Sequence, residues 1–482
     1  MRNDLSEPRR DLAFPALFSI VVGTVIGGAV FIKAATMSQQ LGEAKSVVAA
    51  WMAAGILSLA GALTYAELGA MLPRSGGDYV YIRTAYGELP AFLYGWTQVA
   101  ITQTGSIAIL GTTFAVFFTS LLPTSGTSIS YTFHLKHEIT WQLGSQQMIA
   151  VGVILLLSVI NCLGVSLGGS VQTLLTIAKI LGAFVVILAI LLFSRGGSWS
   201  HLGFASAERW TGFSAFGSAM ILALWAYDGW NCGAMIAGEA QHPSRNIPRA
   251  LITGLLCVIV IYVALNLTFF YALPFNEIAA SNSDAHPDAA PVAVNAVRTF
   301  LGPAGVSFIS LLLILTTIGS LNGAILATAR IPFAMSRDGL FFSPVGNLSH
   351  TTRSPVWALS LQALWASVLA LSGTFDKLID FVVFSLWIFY ALTTASVFIL
   401  RRKLPEAKRD YKTTGYPVVP LIFVLCSAWL LINTLITSPI ESLKGLGLIA
   451  CGLPLYFYFH KRQCEKLQKT AVAQMPRSTL IK

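Results

Sequence analysis

The chain has 482 residues, of which 55% are hydrophobic and only 11% charged, with a net charge of +10 at pH 7. Soluble domains carry about a quarter charged residues, so this composition excludes an ordinary water-soluble fold and points to lipid as the solvent. The positive charge would suit a nucleic-acid binder, but the positions of the basic residues, taken up below, give it a different meaning.

A helix needs about 20 mainly apolar residues to cross the hydrocarbon core. Twelve windows of that kind occur, at 13–38, 44–72, 89–121, 147–164, 168–193, 213–240, 249–273, 302–335, 355–372, 377–400, 417–437 and 443–460. None alternates strictly as an outer-membrane strand does, and in lipid only helices of this length satisfy their own backbone. The expected fold is therefore an all-α polytopic membrane protein with 12 transmembrane helices. The first window is too long for a signal-peptide core and lacks a small-residue cleavage site, which predicts that it is retained.

The first window contains Gly23, Gly27 and Gly28 within Val22–Phe31, and each glycine weakens a helix by about 1 kcal/mol relative to alanine. The sixth contains Asp228, Gly229, Asn231 and Gly233 in mid-segment. Two interrupted helices five apart are the signature of a five-plus-five inverted repeat. This divides the chain into a cytoplasmic N-terminus at 1–12, a first repeat at 13–193, a second at 213–400, two further helices at 417–460 and a cytoplasmic tail at 461–482. The other reading of the glycines is close helix packing, since Gly23 and Gly27 form a G-x-x-x-G.

At a helix break, free N–H groups face an anion and unwound carbonyls face a cation, a combination suited to an amino acid zwitterion. The backbone of Gly27, Gly28 and Ala29 is the expected carboxylate site. The carbonyls of Val25, Ile26, Trp225 and Ala226 are the expected ammonium site. Trp225, just before the second break, is bulky enough to act as a gate over a bound solute, or else packs in the bundle.

Lys179 is the only charged residue between positions 139 and 194, near the middle of the fifth window. A charge at that depth costs at least ~2.5 kcal/mol and marks a functional site by default. Its ammonium is expected to substitute for a sodium ion by bracing the carbonyls of the first break; the alternative is a lysine that snorkels or is satisfied elsewhere. Asp228 either attracts a cationic side chain or holds the unwound segment. Glu67 and Glu239, near Arg74 and Arg245 in sequence, read as ion pairs of a gate or as capping or solvated helix ends.

With twelve spans, 22 of the 31 lysines and arginines fall on the side of the termini, 8 fall opposite, and Lys179 lies between. That bias predicts that both termini are cytoplasmic. The terminal basic patches are the topology signal itself or contacts with anionic lipid, and no nucleic-acid partner is expected. The six cysteines, at 162, 232, 257, 426, 451 and 464, show no metal-binding spacing and avoid the outer loops. No metal, cofactor or structural disulfide is expected. There is no H-E-x-x-H, phosphate loop or G-x-S-x-G to suggest an enzyme, and no filter or charge ring to suggest a channel.

Several motifs carry a resemblance: Gly23–Phe31, Pro73-Arg-Ser-Gly-Gly-Asp-Tyr-Val-Tyr81, Trp225–Asn231, Arg245-Asn-Ile-Pro-Arg249, Gly319-Ser-Leu-Asn-Gly323 with Arg330, and Gly452–Tyr456. Along nearly its whole length the chain resembles the L-type amino acid transporters of the amino acid-polyamine-organocation superfamily. It is most similar to bacterial members that exchange small neutral amino acids without a heavy subunit. The resemblance implies that residues 24 to 29, starting at Thr24, hold the carboxylate and amino groups, that Trp225 is the aromatic gate, and that Lys179 replaces sodium. On the sixth-helix side the candidate site includes Ala226, Asp228 and Asn231, read from the second break itself. The resemblance also implies sodium-independent exchange in a bacterial inner membrane.

Two departures stand out where the family commonly has Gly-Ser-Gly and this chain has Gly27, Gly28 and Ala29. A hydroxyl is lost, and Ala29 tolerates positive φ less well than glycine, which predicts a smaller substrate or one held differently. The connection 123–146 lacks the cysteine by which animal members join a glycoprotein, so no disulfide-linked heavy subunit is expected. Two alternatives remain: a carrier of cationic amino acids or amines, and a transporter-like amino acid sensor.

Overall fold

A computed structural model of the chain describes residues 7–121, 129–134, 138–203, 212–283, 285–372 and 379–473. In chain order its helices are α1 (Phe14–Val25), α2 (Ala34–Leu41), α3 (Ala44–Met71), α4 (Asp78–Tyr86), α5 (Glu88–Thr97), α6 (Gln103–Ser120), α7 (Ser145–Cys162), α8 (Val165–Phe193), α9 (Phe213–Ala226) and α10 (Cys232–Met235). They continue with α11 (Pro243–Ala272), α12 (Phe275–Ala279), α13 (Val292–Leu301), α14 (Pro303–Thr328), α15 (Arg330–Arg337), α16 (Val356–Ser372), α17 (Ile379–Lys403), α18 (Val418–Thr437), α19 (Pro439–Ala450) and α20 (Gly452–Ala473).

Nine helices among the described residues are long and apolar enough to cross a membrane. The other three expected windows hold shorter helices: α1 and α9, of 12 and 14 residues, and α16, of 17. At a rise of 1.5 Å per residue, α1 and α9 reach only about two-thirds of the way through the hydrocarbon core. They are the two windows in which the sequence predicts a break. Residues 377 and 378, at the start of the tenth window, lie outside the described residues.

Large apolar side chains stand exposed on α8 and α18, Leu174 and Leu192 at 69% and 70% and Ile436 at 74%. In water such surfaces would be covered; here they are the lipid-facing side of the bundle. The all-helical expectation holds for the bundle; outside it, Ile129–His134 and Glu138–Leu143 pair antiparallel in the connection between α6 and α7. Free of lipid, that connection can carry strands that the hydrocarbon core would reject. Between α5 and α6 the third window is not a uniform α-helix either, since residues Gln98–Thr102 form a π-helical turn.

The broken helices lie at the centre. Helix α1 packs against α8, α11 and α14, and α10 packs against α1 and α14. Leu12 pairs with Ala240, its N–H donating to the Glu239 carbonyl at 3.0 Å. Gln463 of α20 donates to the Asp338 carbonyl at 2.8 Å. Asp338 in turn faces the cavity that Glu7 and Arg10 line, so both ends of the described chain meet at one end of the bundle.

Candidate functional site

Helix α1 stops because Ile26 turns to an extended conformation, φ −68° and ψ 92°, after its N–H closes the last bond to Val22. The chain resumes as a short 3-10 turn, Ala29–Phe31, before α2. The N–H groups of Gly28 and Ala29 find no acceptor among the described residues, and that of Gly27 faces the Tyr262 hydroxyl. Helix α9 stops after Ala226, and the chain turns through Gly229 at φ +99° before α10. A Cβ at Gly229 would lie 2.7 Å from the Thr24 side chain, so the two breaks touch and only glycine serves there.

The packing reading of the first glycines divides. A Cβ at Gly23 would lie 2.1 Å from Thr176 Oγ1 on α8, so Gly23 serves close packing. At Gly27 the nearest atom would be 3.6 Å away, and at Gly28 3.5 Å, so neither is required by a neighbour. Ala29 keeps a negative φ in its 3-10 turn, and the strain expected from its methyl group does not arise.

Lys179 is fully buried and reaches the first break from α8. Its Nζ donates to the carbonyls of Gly23 at 2.5 Å and Ile26 at 2.7 Å, and to Ser320 Oγ at 3.0 Å. Ser320 lies 3.2 and 3.1 Å from the same two carbonyls. Gly319 beside it is what lets the lysine through, since a Cβ there would stand 2.5 Å from Lys179 Cε. The ammonium is thus held by helix-break carbonyls rather than by snorkelling, the arrangement a bound monovalent cation would take.

From α11, Tyr262 places one hydroxyl 2.7 Å from the Val25 carbonyl and 3.0 Å from that of Ala226. Of the four carbonyls expected to receive an ammonium, Ile26 accepts from Lys179, and Val25 and Ala226 share the one proton of the Tyr262 hydroxyl. The fourth, Trp225, accepts the Asp228 N–H at 3.1 Å. A carbonyl carries two lone pairs, so Val25, Trp225 and Ala226 retain capacity, whereas Ile26 faces two donors already.

Among the site residues named from the sequence, Thr24, Gly27, Gly28, Ala29, Trp225 and Asp228 are partly accessible, and Val25, Ile26, Ala226 and Asn231 are buried. Lys33 lies over the Trp225 ring at 5.8 Å. Asp228 accepts from the Tyr390 hydroxyl at 2.5 Å. Asn231 turns away from the break and donates to Asp78 at 3.2 Å. Asp78 also accepts from Tyr65 and begins α4, in the connection between two spans. Burial pushes its carboxyl up to about 6, against the lowering effect of the hydrogen bonds from Tyr65 and Asn231.

The gate pairs expected for Glu67 with Arg74 and Glu239 with Arg245 are corrected. Glu67 is gripped by Arg401 through two bonds of 2.9 and 2.7 Å, with Thr413 donating to the same carboxylate. Glu239 is gripped by Arg330 at 2.9 and 2.7 Å, both side chains almost fully buried. Nearness in sequence misled because the fold brings other arginines, Arg401 and Arg330, 334 and 91 positions away, into bidentate reach of these carboxylates.

Tyr262 and Tyr390 are contributors that the sequence reading passed over, and Gly319 and Ser320 entered it only as part of a motif, with no role at the break. The signal of the hydroxyls was weak. A hydroxyl inside an apolar window must find a partner, but nothing local says that the partner is a broken helix.

Comparison with known proteins bears on this geometry. The model of the family described as amino acid permease matches residues 12–445. The chain is 34% identical over 459 residues to a serine/threonine exchanger of Bacillus subtilis (strain 168), covering 94% of this chain and 98% of that protein. It is 29% identical over 446 residues to the b(0,+)-type amino acid transporter 1 of Mus musculus, covering 91% and 86%. With the cystine/glutamate transporter of Homo sapiens it shares 27% over 441 residues, covering 92% and 83%.

Proposed function

The chain belongs to the amino acid permease family, and from that premise we propose that it exchanges small neutral L-amino acids across the membrane without sodium. The observation that carries this reading is the pairing of two helix breaks in contact. One offers unpartnered N–H groups at Gly28 and Ala29, and a protein ammonium sits where a sodium ion would brace the same break.

In this reading the N–H groups at Gly27, Gly28 and Ala29 take the substrate carboxylate. Thr24 and the carbonyls of Val25, Trp225 and Ala226 border its amino group, and Trp225 closes over it. Ile26 serves Lys179 instead. Asn231 acts at a distance, through Asp78. Asp228 is a scaffold residue in this reading, accepting from the Tyr390 hydroxyl at 2.5 Å beside the turn at Gly229.

The two repeats, 13–193 and 213–400, rock around this site, with both termini in the cytoplasm of a bacterial cell and no disulfide-linked heavy subunit. The buried Arg330–Glu239 pair, at the end of the bundle where the termini meet, belongs to the closed cytoplasmic side.

The test is uptake of a panel of labelled amino acids into proteoliposomes, with and without unlabelled amino acid inside, in sodium and in sodium-free buffer. Uptake of serine, threonine or alanine that needs internal amino acid and ignores sodium is expected. Strict dependence on sodium, or uptake confined to arginine or putrescine, would overturn the reading.

A further inference from the structure

At the end of the bundle where the termini meet, a cavity of about 490 Å³ lies outside the site already described. Its wall is unusually basic, with Arg10, Arg74, Arg83 and Arg337 against Glu7 and Asp338. Arg83 is committed, lying 2.8 Å from Glu88 and 3.0 Å from Asp338. Arg10, Arg74 and Arg337 form no ion pair among the described residues, and all three are exposed. The wall also includes Ser75, whose Oγ is shielded from solvent and has no hydrogen-bond partner among the described residues.

Three like charges around one cavity repel, and nothing in their own segments requires them to converge. A guanidinium presents a planar fork of donors that suits phosphate oxygens. The geometry points to a binding site for a phosphate-class anion, held by Arg10, Arg74 and Arg337. Two sources present that chemistry at a membrane surface, the headgroup of an anionic phospholipid and free phosphate.

The three arginines come from three separate segments, and each segment bears on the sixth helix. Arg10 precedes Leu12, which pairs with the chain just after Glu239. Arg74 stands two residues from Gly76, whose N–H donates to the Met235 carbonyl of α10 at 2.8 Å. Arg337 ends α15, the helix that begins with the Glu239 partner Arg330. One anion bridging all three ties together the segments that have to separate when this end of the bundle opens. That consequence, slower exchange when the site is filled, rests on the alternating-access reading above; the binding itself does not.

The experiment is thermal unfolding of the purified full chain in detergent, titrated with inorganic phosphate against chloride at constant ionic strength. It is repeated in nanodiscs of phosphatidylcholine with and without phosphatidylglycerol. An anion that binds the folded state raises the midpoint in proportion to its occupancy. A rise with phosphate assigns the site to free anion, and a rise with phosphatidylglycerol alone assigns it to lipid. In either case Arg74→Gln with Arg337→Gln is expected to weaken the effect about tenfold, the loss typical of charge-assisted hydrogen bonds. Arg10→Gln, at an exposed side chain with no ion pair among the described residues, is expected to weaken it in the same direction. No rise with either anion, or the same rise in all variants, would overturn the site. Because the readout is stability rather than flux, that failure is distinct from a failure of the transport reading.

Discussion

The ammonium of Lys179 lies 2.7 Å from the carbonyl oxygen of Ile26, the residue at which the first helix leaves its α-helical path. One side chain from α8 therefore supplies the donor that the next turn of α1 would have supplied had the helix continued. Lys179→Ala removes it and leaves the carbonyls of Gly23 and Ile26 to a single Ser320 hydroxyl, which can donate to only one at a time. An unsatisfied buried acceptor costs roughly 1–3 kcal/mol, and a similar loss at the break would slow exchange ~10- to 100-fold. Flux in proteoliposomes, normalised to reconstituted protein, checks this; wild-type flux in the variant would end the proposed bracing role.

Tyr262 joins the two breaks through one hydroxyl, shared between Val25 and Ala226. Tyr262→Phe keeps the ring, which packs against Trp51 at 5.4 Å and Tyr227 at 4.9 Å. The expected result is a small loss of stability, about 1 kcal/mol, with a larger fall in flux, because the two breaks lose their common tether. Equal flux in the two proteins would show that the hydroxyl contributes to packing alone.

The two breaks were legible in the sequence because glycine and isolated charge are both anomalous in an apolar helix, so Gly27, Gly28, Lys179 and Asp228 announce themselves without knowledge of neighbours. What was not legible depends on partners distant in sequence. Glu67 meets Arg401 across 334 positions, and Tyr262 meets Val25 across 237. No local pattern encodes either contact. Ala29 fails in the opposite direction, since a local argument about φ overlooked that a 3-10 turn accommodates alanine without strain. The strands Ile129–His134 and Glu138–Leu143 were missed because the search was tuned to the length of a membrane crossing, and that connection is under no such constraint.

Asp78 supplies a pH dependence. Burial raises its folded-state pKa to about 6 from an ordinary carboxylate value of 3.8, so the folded protein holds this proton more tightly than the unfolded chain does. The resulting stability is fully present below the unfolded pKa and is lost as the pH rises through about 6. Wild type should therefore gain stability relative to Asp78→Asn as the pH falls from 7.5 towards 5. Parallel unfolding midpoints for the two proteins across that range would show that the carboxylate is not the titrating group.

For Asp228, the bond from Tyr390 predicts that Asp228→Asn and Tyr390→Phe act alike. Tyr390→Phe removes the donor and Asp228→Asn the charge of a 2.5 Å contact that steadies the unwound segment next to Gly229. Uptake of neutral and basic amino acids should fall by the same factor in both variants, roughly tenfold for the loss of a hydrogen bond to a charged group. A fall confined to arginine or lysine in Asp228→Asn, with Tyr390→Phe unaffected, would instead make the carboxylate a side-chain receptor and revive the cationic-substrate alternative.

A pair of alanine substitutions separates folding from transport. At Gly319 a new Cβ would meet Lys179 Cε at 2.5 Å, and the lysine cannot step aside without abandoning the carbonyls it holds. Gly319→Ala should cost about 1–3 kcal/mol by overpacking and lower both yield and flux. At Gly27 the same methyl group would have 3.6 Å to its nearest neighbour, so Gly27→Ala should fold as well as wild type. If the N–H groups beside it receive a carboxylate, however, the methyl group intrudes on the space that the anion needs, and flux should drop at least tenfold with an unchanged unfolding midpoint. A Gly27→Ala protein that transports normally would move the carboxylate site away from the first break, whatever happens at Gly319.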